Sequence, residues 1–571
     1  MKRNVRISPH TLFLALILLI AIALLVCLAY YNWPLPNSDE SIIGLMALHI
    51  QRNGEHPLLF YGQDYMGSLQ AYIGAFLFNL FGSSVFVLRL GMIVLYVAFM
   101  LCLYGLCRQL YTRYFALFMV FLFAFGSTAM LSRQLSAIGG YPEILFFSTA
   151  SLLITLYLAL HPYKERWQEN LGRYLLYILW GGAVGLGLWS DTLIVPWIVC
   201  SCLVLLLSWR EIIFRGAIVP LLMGLLIGST PLIIHNLHVV SGHDSISTIL
   251  SQMGHVPLTI SVLYTQFFNT FTVSLPIISG NPVCHSSEYG FLQYWGFEQH
   301  WAPQCTNIGI VWSLGFCTLW FISALLAFYS LMKIVWPLRR RHWSVEEYRH
   351  FVLVVVWLIL LLGIVANILP YLRSVSPING PGTNSRYLMG VWIGYPALLW
   401  PLWLGCRRFK QYISRSGRML SVVRQGFCAS LLMLIVALFM VGSALSLRDI
   451  PEARTASTQE QTFIDTLLTH NIKHVYGDYW VVYRMAFTSD ERIIGVSLAY
   501  NYRNSHALTL FQNKYIPYIQ RVESDPYAAY IIPEHSDVAY RHIVEKRIQL
   551  LQENYQIFEI DGYLVYQPIH S

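Results

Sequence analysis

From its start to about residue 446 the chain repeats one pattern, an apolar run followed by a short polar connection. The runs fall at 11–31, 84–107, 112–130, 141–160, 174–189, 191–208, 217–235, 308–332, 350–370, 386–405 and 426–446. About 20 apolar residues in a helix cross a hydrocarbon layer roughly 30 Å thick. The pattern therefore predicts a polytopic α-helical membrane protein with about 11 transmembrane helices. The stretch GSLQAYIGAFLFNLFG (67–82) is apolar but short, and is read as lying along the interface.

Beyond residue 450 the apolar runs shorten and charge rises. TQEQTFIDTLLTHNI reads as a helix, and HVYGDYW, ERIIGVSL and AAYIIP read as short strands. A long helix is expected from Ser536 to Asn554, then a hairpin turning on Asp561-Gly562. The expected division is a membrane domain, 1–446, with outer loops at 32–83 and 236–306, and a small α/β domain, 447–571.

Composition supports this class: 56% of residues are hydrophobic and only 12% are charged, where soluble proteins carry about a quarter. The basic start, MKRNVRISPH, precedes an apolar run too long for a signal peptide and without a convincing cleavage site. It is read as a retained first helix. The net charge of +8 comes from Lys and Arg gathered between spans, so it points to membrane lipids and not to nucleic acid. With the N-terminus inside, the inward connections carry groups such as Arg108 and Arg113, Arg210 and Arg215, and Arg339 to Arg341. The outward loop 236–306 has neither Lys nor Arg. This alternation predicts a plasma-membrane protein with a cytoplasmic N-terminus and an extracytoplasmic C-terminal domain.

Of ten cysteines, only Cys284 and Cys305 fall in an outward loop, where they pair as a disulfide or stand as two free thiols. The same loop holds His238, His243, His255, His285 and His300, at spacings that match no recognised zinc pattern.

Two acids, Asp39 and Glu40, follow the first span, and a third, Asp64, lies close in sequence. Asn37-Ser38 opens a helical pattern that runs from Ser41 to Arg52 and stops at Asn53-Gly54. Carboxylates at a helix start meet unpaired amides and a favourable dipole, so one reading is that the pair simply caps an amphipathic helix. The same geometry also suits a base that takes a proton from an acceptor hydroxyl.

The acidic pair, the YGQDYMGSLQAY stretch, Arg89, SRQLSAIGGYPEI, GLGLWSDTLIVPW, GSTPLIIHNL, TNSRYLMG and the tail segment GDYWVVYRMAFTSDERI together resemble the GT-C glycosyltransferases. The nearest kin are the bacterial protein O-mannosyltransferase-like group and the relatives that transfer aminoarabinose to lipid A. The resemblance covers most of the chain as spaced fragments, and Asp39-Glu40 with Arg386-Tyr387 are its most specific pieces. It implies a polyprenyl-phosphate-linked sugar donor and inverting transfer at the outer membrane face to a protein, a glycan or a lipid. Asp39 takes the place of the base, and Glu40 that of a second acid or a metal-facing partner. Arg386, beside Tyr387, is the natural clamp for the lipid phosphate. Arg133 and Glu143 flank GGYP and either bind donor or form a loop ion pair; Asp191 lines the cavity or starts a helix. The family pattern often has an acid where Gln70 stands. Relatives differ in needing a divalent cation, so the metal stays open. The loop 236–306 is expected to fold over the donor, pinned by Cys284 and Cys305.

Two other classes are weighed. A transporter or flippase buries ionisable groups near the bilayer midplane, whereas these spans are nearly free of acids. An O-antigen ligase or polymerase relies on Arg or His in a large outer loop and lacks the early Asp-Glu pair.

Overall fold

The computed structural model describes residues 8–161, 163, 170–239, 244–245, 247–248, 256–257, 259–283, 303–338, 344–406, 415–500, 508–510, 512–533, 541, 544–546 and 554–569. Among these, ten helices are long and apolar enough to cross a membrane, and eleven if one sharply bent pair counts as a single span. The chain is a polytopic α-helical membrane protein. The apolar stretch at 67–82 forms a separate short helix, Leu69–Phe81.

Two expected spans are broken. Residues 112–130 do not form one rod: helix Arg113–Phe123 gives way to helix Thr128–Leu135 through an 87° bend. The bend is stitched in place, because the Gly126 amide donates to Ser443 Oγ at 3.1 Å and Ser127 Oγ accepts from the Met130 amide at 3.3 Å. A Cβ on Gly442 would lie 2.5 Å from the Gly126 carbonyl oxygen, so only glycine lets the helix Arg415–Arg448 approach this closely. The run 386–405 begins as a 3-10 helix, Thr383–Gly394, and becomes α-helical only at Tyr395–Gly405.

Glycine also sets a second close helix pair. Helices Leu171–Ser190 and Ile218–His238 pack backbone to backbone, and a Cβ on Gly224 would fall 2.0 Å from the Ile178 carbonyl oxygen. Small residues at such a seam replace the hydrophobic drive that lipid cannot supply.

The C-terminal region holds a mixed six-stranded sheet. Its strands are β1 (His474–Gly477), β2 (Ile494–Tyr500), β3 (Leu508–Leu510), β4 (Ala529–Pro533), β5 (Asn554–Ile560) and β6 (Tyr563–Ile569), in spatial order β3-β2-β1-β4-β6-β5. Strand β1 runs parallel to β2 and β4, and the other pairings are antiparallel. The β5–β6 hairpin turns at Asp561 and Gly562, with φ of 47° and 81°, the left-handed pair that matches strand twist. The strand expected through HVYGDYW stops at Gly477, because Asp478 accepts the Trp480 amide at 2.8 Å and starts helix Tyr479–Thr488. The helix expected from Ser536 to Asn554 lies largely outside the described residues.

Contacts divide the chain into two compact units that do not follow chain order. One comprises Met1–Val26, Ile93–Gln134 and Gly140–Arg448; the other comprises Cys27–Met92, Leu135–Gly139 and Asp449–Ser571. In the second unit, helix Ser38–Asn53 packs on helix Tyr479–Thr488 so closely that a Cβ on Gly44 would fall 2.5 Å from the Phe487 ring.

Candidate active site

Both acids of the first loop stand in the opening turn of helix Ser38–Asn53, whose start is fixed by Asn37 accepting the Glu40 amide at 2.8 Å. Gly54, with φ of 67°, closes the helix. Their surroundings differ. Glu40 is 1% exposed and lies in a fork made by Arg89, Nε to Oε1 at 2.9 Å and Nη2 to Oε2 at 2.6 Å. Its Oε1 also accepts the Ala137 amide at 3.1 Å. Glu40, expected beside Asp39 as a second acid, holds the segment Leu135–Gly139 and neutralises a buried arginine.

Asp39 is half-buried, and its Oδ1 accepts the Tyr479 hydroxyl at 2.6 Å. Tyr479 is held in turn, its carbonyl oxygen accepting from Ser38 Oγ at 2.6 Å. No described residue donates a hydrogen bond to Asp39 Oδ2. Lys514 lies within electrostatic reach; burial lowers its pKa from the usual lysine value, and the Asp39 carboxylate works against that. Gln70, where the family pattern often has an acid, uses both ends of its amide on Gly139: Nε2 donates to the carbonyl at 2.5 Å and Oε1 accepts the amide at 3.5 Å. A carboxylate there could not make the first of these bonds. Asp64 is half-buried between Leu59 and Gly67, which pair as an isolated bridge.

The side chains around Asp39 do not suit a divalent cation. One oxygen takes a phenol proton, the nearby charge is an ammonium, and Glu40 is committed to Arg89 and Ala137. Among the described residues no three His, Cys, Asp or Glu side chains gather as a metal site.

Further along the same helix, His49 is buried between Glu491, whose Oε1 is 3.0 Å from Nε2, and the Tyr61 hydroxyl, 3.0 Å from Nδ1. Tyr61 and Tyr515 donate to the two oxygens of Glu55, and Tyr518 donates to Glu491 at 2.7 Å. Burial pushes both carboxyls up, but these hydrogen bonds and the His49 charge outweigh it and hold Glu55 and Glu491 below the usual glutamate value.

In the other unit, Arg386 stands on the 3-10 segment Thr383–Gly394, its guanidinium 5.2 Å from the Tyr387 ring centroid and Nη2 3.3 Å from the Tyr387 hydroxyl. Arg133, 2% exposed, donates to the Thr383 carbonyl at 3.4 Å. Asp191 accepts the Leu193 amide at 2.9 Å; burial pushes its carboxyl up to about 6, against the pull of that amide and of Arg386. Gly140 makes room for it, since a Cβ there would lie 2.8 Å from Asp191 Cβ. Tyr141 is within electrostatic reach of Arg386, Tyr387, Asp191 and Arg133, which places these five in one neighbourhood. Glu143, 1% exposed, sits in the first turn of helix Tyr141–Leu160. Cys284 lies outside the described residues, as do His243, His255, His285 and His300.

In sequence the chain matches no protein-family model and no curated protein. In structure it resembles ArnT from Cupriavidus metallidurans bound to undecaprenyl phosphate, with a TM-score of 0.53 at 12% identity, over 98% of each chain. The chain shares the fold of that structure. A further structure, the archaeal oligosaccharyltransferase AglB from Archaeoglobus fulgidus with an inhibitory peptide and a dolichol-phosphate, aligns over 98% of this chain and 74% of its own. Its TM-score of 0.46, at 12% identity, is too low to bear on the site.

Sequence reasoning quoted the segments that hold Tyr141 and Tyr479 but gave neither residue a role, and it missed Lys514 and the pairing of Arg89 with Glu40. Arg89 carried a signal for its pairing, because an arginine within an apolar span requires an acidic partner.

Proposed function

We propose that the protein is a glycosyltransferase that moves a sugar from a polyprenyl-phosphate-linked donor to an acceptor at the outer membrane face, with inversion. The observation that carries this reading is the division of labour between neighbouring acids: Glu40 is locked to Arg89, while Asp39 is anchored through Oδ1 and keeps Oδ2 open. A carboxylate so held is a general base for an acceptor hydroxyl. The donor class is taken from the undecaprenyl phosphate in the ArnT structure.

In this scheme Asp39 Oδ2 takes the acceptor proton as the acceptor oxygen bonds to the anomeric carbon. The bond from that carbon to the phosphate oxygen breaks on the opposite face. Arg386, with Arg133 and Tyr387, is the proposed binding group for a lipid phosphate, where a planar guanidinium offers a bidentate fork. Asp191 and Glu143 shape the polar surroundings of that clamp. The proposed orientation has the N-terminus in the cytoplasm and residues 447–571 outside, with Cys284 and Cys305 paired in an oxidising compartment.

The test is sugar release from labelled undecaprenyl-phosphate donors in membranes. Asp39→Asn is expected to lower turnover by about 10²–10⁴-fold, and Arg386→Ala to abolish donor use, with thermal stability retained in both. Wild-type protein that consumes no donor, with both variants indistinguishable from it, would overturn the reading.

A further inference from the structure

We propose that the Lys514 ammonium binds an oxyanion, a phosphate or carboxylate oxygen, carried by the substrate that docks at Asp39, and that this anion belongs to the acceptor. The proposal rests on the function proposed above and names the chemistry of the acceptor.

Lys514 is fixed at its base and along its stem. Its amide donates to the Tyr483 hydroxyl at 2.6 Å, and the Tyr483 ring meets Tyr479, the partner of Asp39, edge-on at 5.4 Å between centroids. Its Cδ lies 3.1 Å from where a Cβ on Gly62 would stand. Gly62, at φ of 64°, therefore supplies both the turn and the room for the stem. The ammonium itself sits 5.8 Å from the Phe60 ring centroid. Among the described residues it makes no hydrogen bond and no ion pair, although the side chain is half-buried and the Asp39 carboxylate acts on it from beyond contact.

A half-buried cation with no hydrogen-bonding or ion-pair partner is costly, and proteins keep such groups where a ligand completes them. An anion is the ligand that fits. The choice of acceptor over donor follows from the chemistry of inversion. The base and the leaving phosphate act on opposite faces of the anomeric carbon, so a cation beside the base faces the incoming group. An anionic acceptor would be repelled by Asp39 alone; an ammonium within electrostatic reach of Asp39 offsets that repulsion.

The experiment is lysine acetylation of the full chain in nanodiscs, read by mass spectrometry at Lys514, with exposed Lys473 as the internal control. Glucuronate and glucose 6-phosphate are expected to slow Lys514 acetylation about tenfold at ten times their dissociation constants, with Lys473 unchanged and neutral glucose without effect. Protection by undecaprenyl phosphate alone would move the anion to the donor and overturn the acceptor assignment. Equal protection by glucose, or none by any probe, would overturn Lys514 as an anion-binding group. Labelling needs no turnover. Donor that is never consumed therefore counts against the function, while Lys514 protection decides the binding site.

Discussion

Arg89 reaches Glu40 with two nitrogens, Nε at 2.9 Å and Nη2 at 2.6 Å, and neither side chain is more than 1% exposed. Arg89 Nη2 also donates to the Pro34 carbonyl at 2.6 Å. The pair ties the second span to the turn before Asp39 and so fixes where that turn starts.

Breaking one side of this pair leaves a buried charge alone. Arg89→Met is expected to cost about 3–5 kcal/mol of stability, and Arg89→Met with Glu40→Leu to recover most of it. Thermal unfolding of the detergent-solubilised protein measures both. A double variant as unstable as the single one would show that Glu40 is needed for more than its arginine, through Ala137.

Tyr479 positions Asp39 through its hydroxyl, while Ser38 binds Tyr479 through the backbone. Tyr479→Phe removes the first bond and spares the second. Hydrogen bonds to charged groups are worth about 1.5–3 kcal/mol, so a loss of at least about tenfold in kcat is expected, with donor KM and melting temperature little changed. Unaltered turnover would mean that Asp39 does not depend on this hydroxyl.

Glu491 and Glu55 are held below the ordinary glutamate value of 4.5 in the folded chain. A depressed carboxyl stabilises fully above its unfolded pKa, and that contribution is lost as pH falls through the folded one. Melting temperature should therefore drop below pH 4.5, and drop less steeply in Glu491→Gln, which begins from a lower plateau. Parallel curves for wild type and variant would rule out this linkage.

Asp191 titrates in the opposite sense, its carboxyl pushed up to about 6. If Arg386 clamps the donor as proposed, the Asp191 charge competes with phosphate for it above that pH, and below it the competition ends. Undecaprenyl phosphate should bind wild type more weakly than Asp191→Asn at pH 7.5, roughly tenfold if the contact is direct, and equally at pH 5. A gap that does not close on acidification would separate Asp191 from the arginine.

Most spans were legible because a bilayer imposes length and apolarity on any sequence that crosses it. The start of the helix at Asp39 was legible too, since Asn37 and Gly54 carry local signals that need no distant partner. The bend at Gly126 was not, because an apolar stretch looks the same straight or broken, and the hydroxyl that holds it belongs to Ser443. Likewise Arg386 could be picked out by its neighbours in sequence, but not its 3-10 backbone. Lys514, in FQNKYIP, reads as an ordinary polar loop residue; the groups around it, Gly62, Tyr483 and Asp39, lie elsewhere along the chain.

The unit containing Asp39 is assembled from Cys27–Met92, Leu135–Gly139 and Asp449–Ser571, early and late pieces of the same polypeptide. Glu40 can find Arg89 once 49 further residues have been made, but Asp39 and Tyr479 are separated by 440. At about 5–20 residues per second, that second wait lasts roughly 20–90 s. A half-made chain thus carries its acid in place but unanchored, and a ribosome that stalls before Tyr479 leaves behind a membrane stub with no finished centre. Synthesis of the Tyr479 segment is the step that gives Asp39 its anchor.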